Sequence, residues 1–182
     1  MASSPASPSL VLPDAPWALW LTGLPAAGKS TLARALVAAL MARHRNPLLI
    51  DGDDLRGGPH RDLGFSRADR GEQCRRLAAL AGEAMAVGRW PVIATVSPFR
   101  CDRAAALHSL GRALEIHLAT PLATCIARDP KGLYAAARRG ERTQVTGIDD
   151  PYEQPERPAL RLPGDGMTTA DAVMLVLALL AR

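Results

Sequence analysis

Gly23-Leu24-Pro25-Ala26-Ala27-Gly28-Lys29-Ser30-Thr31 reads G-x-x-x-x-G-K-S, the spacing of a phosphate-binding P-loop. Glycines at its first and sixth positions admit backbone angles and close approaches that a Cβ would block. The loop's N–H groups can then converge on phosphate oxygens, and a helix N-terminus behind them adds positive potential. In that arrangement Lys29 reaches the β- and γ-phosphates, and the Ser30 hydroxyl ligates Mg²⁺. The flanks supply the context the motif demands. Ala18-Leu19-Trp20-Leu21-Thr22 is a short apolar run suited to a buried strand, and from Thr31 to Leu40 apolar residues recur at helical spacing. Of 22 Lys and Arg residues only two are lysines, Lys29 and Lys131. A compact ammonium does not interchange with a planar guanidinium in a tight loop, so lysine at this place speaks for phosphate chemistry.

Outward from the loop, strands and helices alternate. Pro47-Leu48-Leu49-Ile50, Trp90 to Val96, Ala113 to Leu118 and Leu160-Arg161-Leu162 read as further strands. Helices are predicted from Arg67 to about Val87 with Ser66 as N-cap, from Asp102 to Leu110, from Pro121 to Ala127, and onward from Thr168. The stretch from Arg56 to Phe65 reads as loop. The pattern predicts an α/β fold, a mostly parallel sheet of about five strands with helices on both faces. Acidic residues Asp51, Asp53 and Asp54 follow the second strand, and Ser97 follows the third, at the edge where open α/β sheets bind ligands. From Arg128 to Pro158 the periodicity is lost and Pro, Gly and charge dominate. A segment of that length inside one domain reads as a lid, the alternative being an ordinary solvated basic loop.

Composition narrows the classes. The chain has 182 residues, 48% of them hydrophobic, enough for one domain with a sizeable core. Residues 1–15 read as a disordered lead-in without the basic start and apolar centre of a secretory signal, and 16–182 as the folded domain. No run approaches a membrane span, so the expected location is the cytoplasm and no membrane partner is expected. Cys74, Cys101 and Cys125 have no metal or redox spacing and read as reduced thiols. A formal net charge of +4 suits an anionic small molecule, and 4% aromatic residues leave little for base-stacking platforms, so no nucleic-acid partner is expected.

With these residues in view, the chain resembles the adenylylsulfate kinases, P-loop enzymes that phosphorylate the 3′-hydroxyl of adenosine 5′-phosphosulfate. The resemblance rests on Trp20 to Leu24 leading into the P-loop, Asp51-Gly52-Asp53, Arg56, Asp62-Leu63-Gly64-Phe65-Ser66, Asp69-Arg70, Arg75-Arg76 and Ser97-Pro98. Arg128-Asp129-Pro130-Lys131-Gly132-Leu133-Tyr134 and Thr146-Gly147-Ile148-Asp149-Asp150-Pro151-Tyr152-Glu153 complete it. It implies the P-loop NTPase fold with a lid over about 128–158, nucleotide substrates, Mg²⁺ with ATP, a homodimer, and 3′-phosphoadenosine 5′-phosphosulfate as product.

Residue by residue, the resemblance implies ATP contacts from Gly23 to Thr31 and from Arg128 and Lys131. Asp53 is the candidate base and, with Ser30, a metal ligand; the alternative is a solvated turn aspartate. Lys29, Asp53 and Ser97 form the catalytic set. Asp53, Arg56, Phe65, Arg70, Gln73, Ser97 and Val145 form the acceptor pocket. Arg56 and Arg70 are implied as anion forks, and Phe65 as a stacking face for the acceptor's adenine. On sequence alone Phe65 reads equally as core or loop anchor. Family descriptions label the serine at Ser97 a phosphoserine intermediate. No base near it in sequence would activate it, so positioning is the expected role. The chain departs from the family at several places. Asp54 replaces an Asn, Gly57 a His and Gln73 an Asn, while Thr143 and Val145 stand where the family has Lys and Phe. The altered acceptor side leaves open a same-fold kinase with a different nucleotide-conjugate acceptor.

Overall fold

The computed structural model describes residues 10–182. In chain order its elements are β1 (Ala18–Thr22), α1 (Lys29–Met41), β2 (Pro47–Asp51), α2 (Gly52–Arg56), α3 (Arg67–Ala86) and β3 (Trp90–Ala94). There follow α4 (Arg100–Leu110), β4 (Ala113–Ala119), α5 (Leu122–Arg128), α6 (Leu133–Arg138), β5 (Leu160–Pro163) and α7 (Thr169–Leu180). The five strands form one sheet in the order β2-β3-β1-β4-β5, and every ladder is parallel. The "mostly parallel" of the sequence reading thus becomes wholly parallel.

β1 is the central strand, and its five residues are all buried. Its side chains alternate between two cores, as a pleated strand requires. Leu19 and Leu21 pack with Leu32, Leu36 and Leu40 of α1 and Val173, Val176 and Leu177 of α7. Ala18 and Trp20 pack on the other face with Cys74, Leu77 and Ala81 of α3 and Ala106 of α4. A strand buried on both faces reads as a continuous apolar run, which is why it was legible without alternation. Ser66 caps α3 by accepting a hydrogen bond from the Asp69 amide, and Thr168 does the same for α7 at the Asp171 amide.

The structure departs from the sequence reading in three places. Two helices stand where none was expected: α2 within the acidic turn and α6 within the segment read as patternless. At five and six residues they are too short to show a helical period. The lead-in expected over residues 1–15 lies outside the described residues up to Ser9. Beyond it Leu12 is buried in the main core, and its carbonyl accepts from Arg45 Nη2 at 2.8 Å, so this part is docked rather than free.

Candidate active site

The C-terminal ends of β1, β2, β3 and β4 open onto a single cleft of about 680 Å³, floored by the P-loop and walled by residues on either side of α6. A Cβ at Gly23 would sit 2.7 Å from the Leu118 carbonyl oxygen, and Gly28 holds φ +101°, so glycine is required at both positions. Gly28 caps α1 with no side-chain hydrogen bond. The first amides of α1 are therefore left for an anion. Lys29 is buried at the first turn, its Nζ donating to the carbonyls of Gly23 (3.0 Å) and Leu24 (2.7 Å). Burial pulls its pKa from 10.5 to about 8, against the opposing pull of Asp53, Cys125 and Asp51.

Across the loop, Asp51 ends β2 and does two things. Its Oδ1 accepts from the Asp53 amide at 3.0 Å and so caps α2, and its Oδ2 accepts from Ser30 Oγ at 2.6 Å. The sequence reading paired Ser30 with Asp53 for the metal; the side chain at Ser30 is that of Asp51. Asp53 lines the same cleft two residues onward, and its Oδ2 meets Lys131 Nζ at 2.8 Å. That contact raises the Lys131 pKa. The chain's two lysines thus both line the cleft, Lys29 in its floor and Lys131 against Asp53. Ser30 and the two carboxylates are hard oxygen donors beside the loop. No group of three or more His, Cys, Asp or Glu forms a metal cage among the described residues. Such a donor set fits Mg²⁺, which keeps several waters and takes the rest of its ligands from phosphates.

The far end of the cleft is built on Phe65. It is the one aromatic ring in the lining and is 37% exposed. The guanidiniums of Arg56, Arg142 and Arg70 lie 4.8, 5.2 and 5.6 Å from its centroid. Arg56 is fixed by the carbonyls of Leu63 (3.1 Å) and Gly64 (2.5 Å), and burial lowers its pKa. Arg70 is buried, donates to the carbonyls of Phe65 (3.0 Å) and Gln144 (2.6 Å), and pairs with Asp150 at 2.6 Å.

Three residues expected in the pocket sit elsewhere. Gln73 is buried behind α2, where its Nε2 donates to the Gly52 carbonyl (3.3 Å) and its Oε1 meets His60 Nδ1 (2.9 Å). Ser97 is 3% exposed and absent from the cleft wall, which is formed there by Thr95 and Val96. Its Oγ accepts from Trp20 Nε1 and donates to Thr22 Oγ1, both at 3.1 Å, tying the ends of β1 and β3 together. Arg56 is off the wall and reaches the site only through Phe65. Val145 does line the cleft, but it is buried in the main core.

The segment read as a lid is anchored at both ends. Tyr134 of α6 is 1% exposed, and its hydroxyl donates to the Pro25 carbonyl of the P-loop at 3.0 Å. At the other end Arg103 Nη2 donates to the Glu153 carbonyl at 2.6 Å. Arg128 lines the cleft and donates to the Gly164 carbonyl at 3.0 Å. The sequence reading gave Asp51 a turn-forming role, which its cap on α2 matches, but did not pair it with Ser30; it missed the end of β5 and the turn after it, where Pro163, Gly164, Met167 and Thr168 line the cleft. The signal was there: Pro163-Gly164-Asp165-Gly166 directly follows a strand at the ligand-binding edge.

A family model described as adenylylsulphate kinase matches residues 15–163. The chain belongs to the adenylylsulfate kinase family. The kinase is 48% identical over 153 residues to an adenylyl-sulfate kinase of Yersinia pestis, with 83% of this chain and 72% of that protein covered. Its fold matches a Mycobacterium tuberculosis APS kinase solved with AMPPNP and APS, at a TM-score of 0.89 and 38% identity, covering 93% of this chain and all (100%) of that one. It also matches the hexameric APS kinase from Thiobacillus denitrificans at a TM-score of 0.68 and 31% identity, covering 90% of this chain and 28% of that chain. No helix among the described residues is long and apolar enough to cross a membrane.

Proposed function

We propose that this kinase transfers the γ-phosphoryl group of ATP to the 3′-hydroxyl of adenosine 5′-phosphosulfate, giving 3′-phosphoadenosine 5′-phosphosulfate and ADP. The observation that carries the reading is one cleft with a P-loop lysine at one end, a guanidinium-ringed aromatic at the other, and Asp53 between the walls. The M. tuberculosis relative was solved with an ATP analogue and APS together, which supports the same pairing of substrates here.

Residues from Gly23 to Thr31 would hold the triphosphate through backbone amides, with Lys29 leaving its two carbonyls for the β- and γ-oxygens. Arg128 and the Gly164 turn would flank the donor base. Phe65 and Arg70 would hold the acceptor, its hydroxyl directed at Asp53. The acceptor oxygen attacks the γ-phosphorus, the bond to the β-bridging oxygen breaks, and the hydroxyl proton passes to Asp53. Ser30 with Asp51, and Asp53 beside them, would hold Mg²⁺, which offsets the charge of the phosphate oxygens when bound. Lys131 would exchange Asp53 for phosphate as the walls close and water leaves. Ser97 and Gln73 act by positioning, the first on the strand ends and the second on α2.

A coupled assay for ADP release with adenosine 5′-phosphosulfate tests the reading. No turnover at saturating acceptor, from folded protein that binds ATP, overturns it. A second reading, a same-fold kinase for another nucleotide conjugate, is favoured by Thr143 and by Val145, whose side chain belongs to the core. Acceptors compared side by side by kcat/KM decide between the two. A homodimer in the cytoplasm is the proposed state, with the hexameric relative as precedent for self-association; sedimentation equilibrium would measure the assembly.

A further inference from the structure

Of the three guanidiniums around Phe65, two are committed. Arg56 is held by two backbone carbonyls, and Arg70 by two carbonyls and Asp150. Arg142 is exposed, lines the cleft, and makes no hydrogen bond or ion pair among the described residues, yet its guanidinium lies 5.2 Å from the Phe65 centroid. The backbone two and three residues after it is held by hydrogen bonds. The amides of Gln144 and Val145 both donate to Asp149, each at 2.7 Å, and the Gln144 carbonyl accepts from Arg70. Gln144 takes φ +60°, a turn that L residues adopt only where the surroundings impose it. A free, planar cation is thus presented to an exposed ring from a braced turn.

We infer that Arg142 is an acceptor-binding residue that supplies the second face of a clamp, with the planar base of the acceptor nucleotide held between its guanidinium and the Phe65 ring. Guanidinium planes stack on bases as aromatic rings do. A base needs roughly 7 Å between its two neighbours, twice the contact distance of carbon atoms. Arg142 reaches that spacing by a rotamer change of a long exposed side chain, with no movement of the braced backbone. Of the other groups near Phe65, Val145 is aliphatic and packed in the core, Arg56 is off the cleft wall and held by two carbonyls, and Arg70 is pinned from three sides. The guanidinium also brings positive charge to the end of the cleft where an anionic nucleotide would lie.

The inference rests on the proposed reading of the cleft as a kinase site, and the test separates the two. Binding of adenosine 5′-phosphosulfate in the presence of ADP is measured by calorimetry for the wild type, Arg142→Ala and Arg142→Lys, alongside the ATP KM and the melting temperature. Arg142→Ala is expected to weaken acceptor binding about tenfold, the scale of one lost stacking face, with the ATP KM and melting temperature unchanged. Arg142→Lys keeps the charge without the plane and is expected to stay within about threefold of the alanine variant. Unchanged acceptor affinity in Arg142→Ala overturns the inference and leaves the kinase reading in place, as does wild-type affinity in Arg142→Lys. A wild type that binds the acceptor without transferring phosphate sinks the kinase reading alone, while the affinity ratio still decides the role of Arg142. Absence of acceptor binding by the wild type overturns both.

Discussion

Lys29 carries two effects of opposite sign. Its folded pKa of about 8 lies below the ordinary 10.5 because burial disfavours the charged form. Between those values the unfolded chain binds more protons at this site than the native one, so its contribution to stability rises with pH through that window. Triphosphate affinity runs the other way, since only the ammonium attracts phosphate: ATP binding is expected to weaken as pH rises through about 8 and to take up a proton. Calorimetry at about pH 8.5 in two buffers of different ionisation enthalpy reads that uptake, and Lys29→Met removes it. The two aspartates separate by assay. Asp53→Asn removes the proposed proton acceptor while keeping its shape, so kcat is expected to fall by about 10²–10⁴ with ATP binding retained. Asp51→Ala removes the partner of Ser30 and the cap of α2 together. It is expected to raise the Mg²⁺ requirement in a metal titration and to cost about 1 kcal/mol of stability.

At the scale of elements, the long ones were legible and the short ones were not. α1 and α3 have thirteen and twenty residues, enough turns for an apolar stripe and a cap to show. α2 and α6 have barely one turn, and each is held by tertiary bonds: α2 by the Asp51 cap and the Gln73 bond to Gly52, α6 by Tyr134 on the P-loop. The Tyr134 hydroxyl is the polar tie between α6 and the loop that grips phosphate, and burial raises its pKa. Tyr134→Phe keeps the packing and deletes the bond. It is expected to cost about 1 kcal/mol, a shift of roughly 2–4 °C in the melting temperature, and to raise the ATP KM more than the acceptor KM. Scanning calorimetry and initial rates check both.

Across the whole molecule, Arg103 joins parts distant in sequence. Buried on α4, it pairs with Glu115 of β4 at 2.7 Å and donates to the carbonyls of Ser97 and Glu153, both at 2.6 Å. It therefore links the end of β3, a sheet strand and the far end of the segment read as a lid. Arg103→Ala leaves a carboxylate and two carbonyls without their partner and is expected to destabilise by about 3 kcal/mol in urea unfolding. Arg103→Met with Glu115→Leu is expected to recover less than half of that loss, because the two carbonyls stay unpaired. The same network explains why Ser97 could not be placed from sequence: its surroundings come from residues 75 or more positions away, Trp20 and Thr22.

By itself the sequence determined the strand–loop–helix around Lys29, the alternation of strands and helices, and the family, because these depend on local spacing and on the apolar runs of strands buried on both faces. It also placed Asp53 just past a strand end, while Phe65 and Arg70 were marked only by the resemblance to the family. Only the tertiary structure decided that Asp51 rather than Asp53 meets Ser30, that Ser97 and Gln73 turn into the interior, and that Arg142 stands free over Phe65. Those outcomes depend on which side chains the parallel sheet brings together across its edge, and no local pattern in the chain encodes a distance between elements.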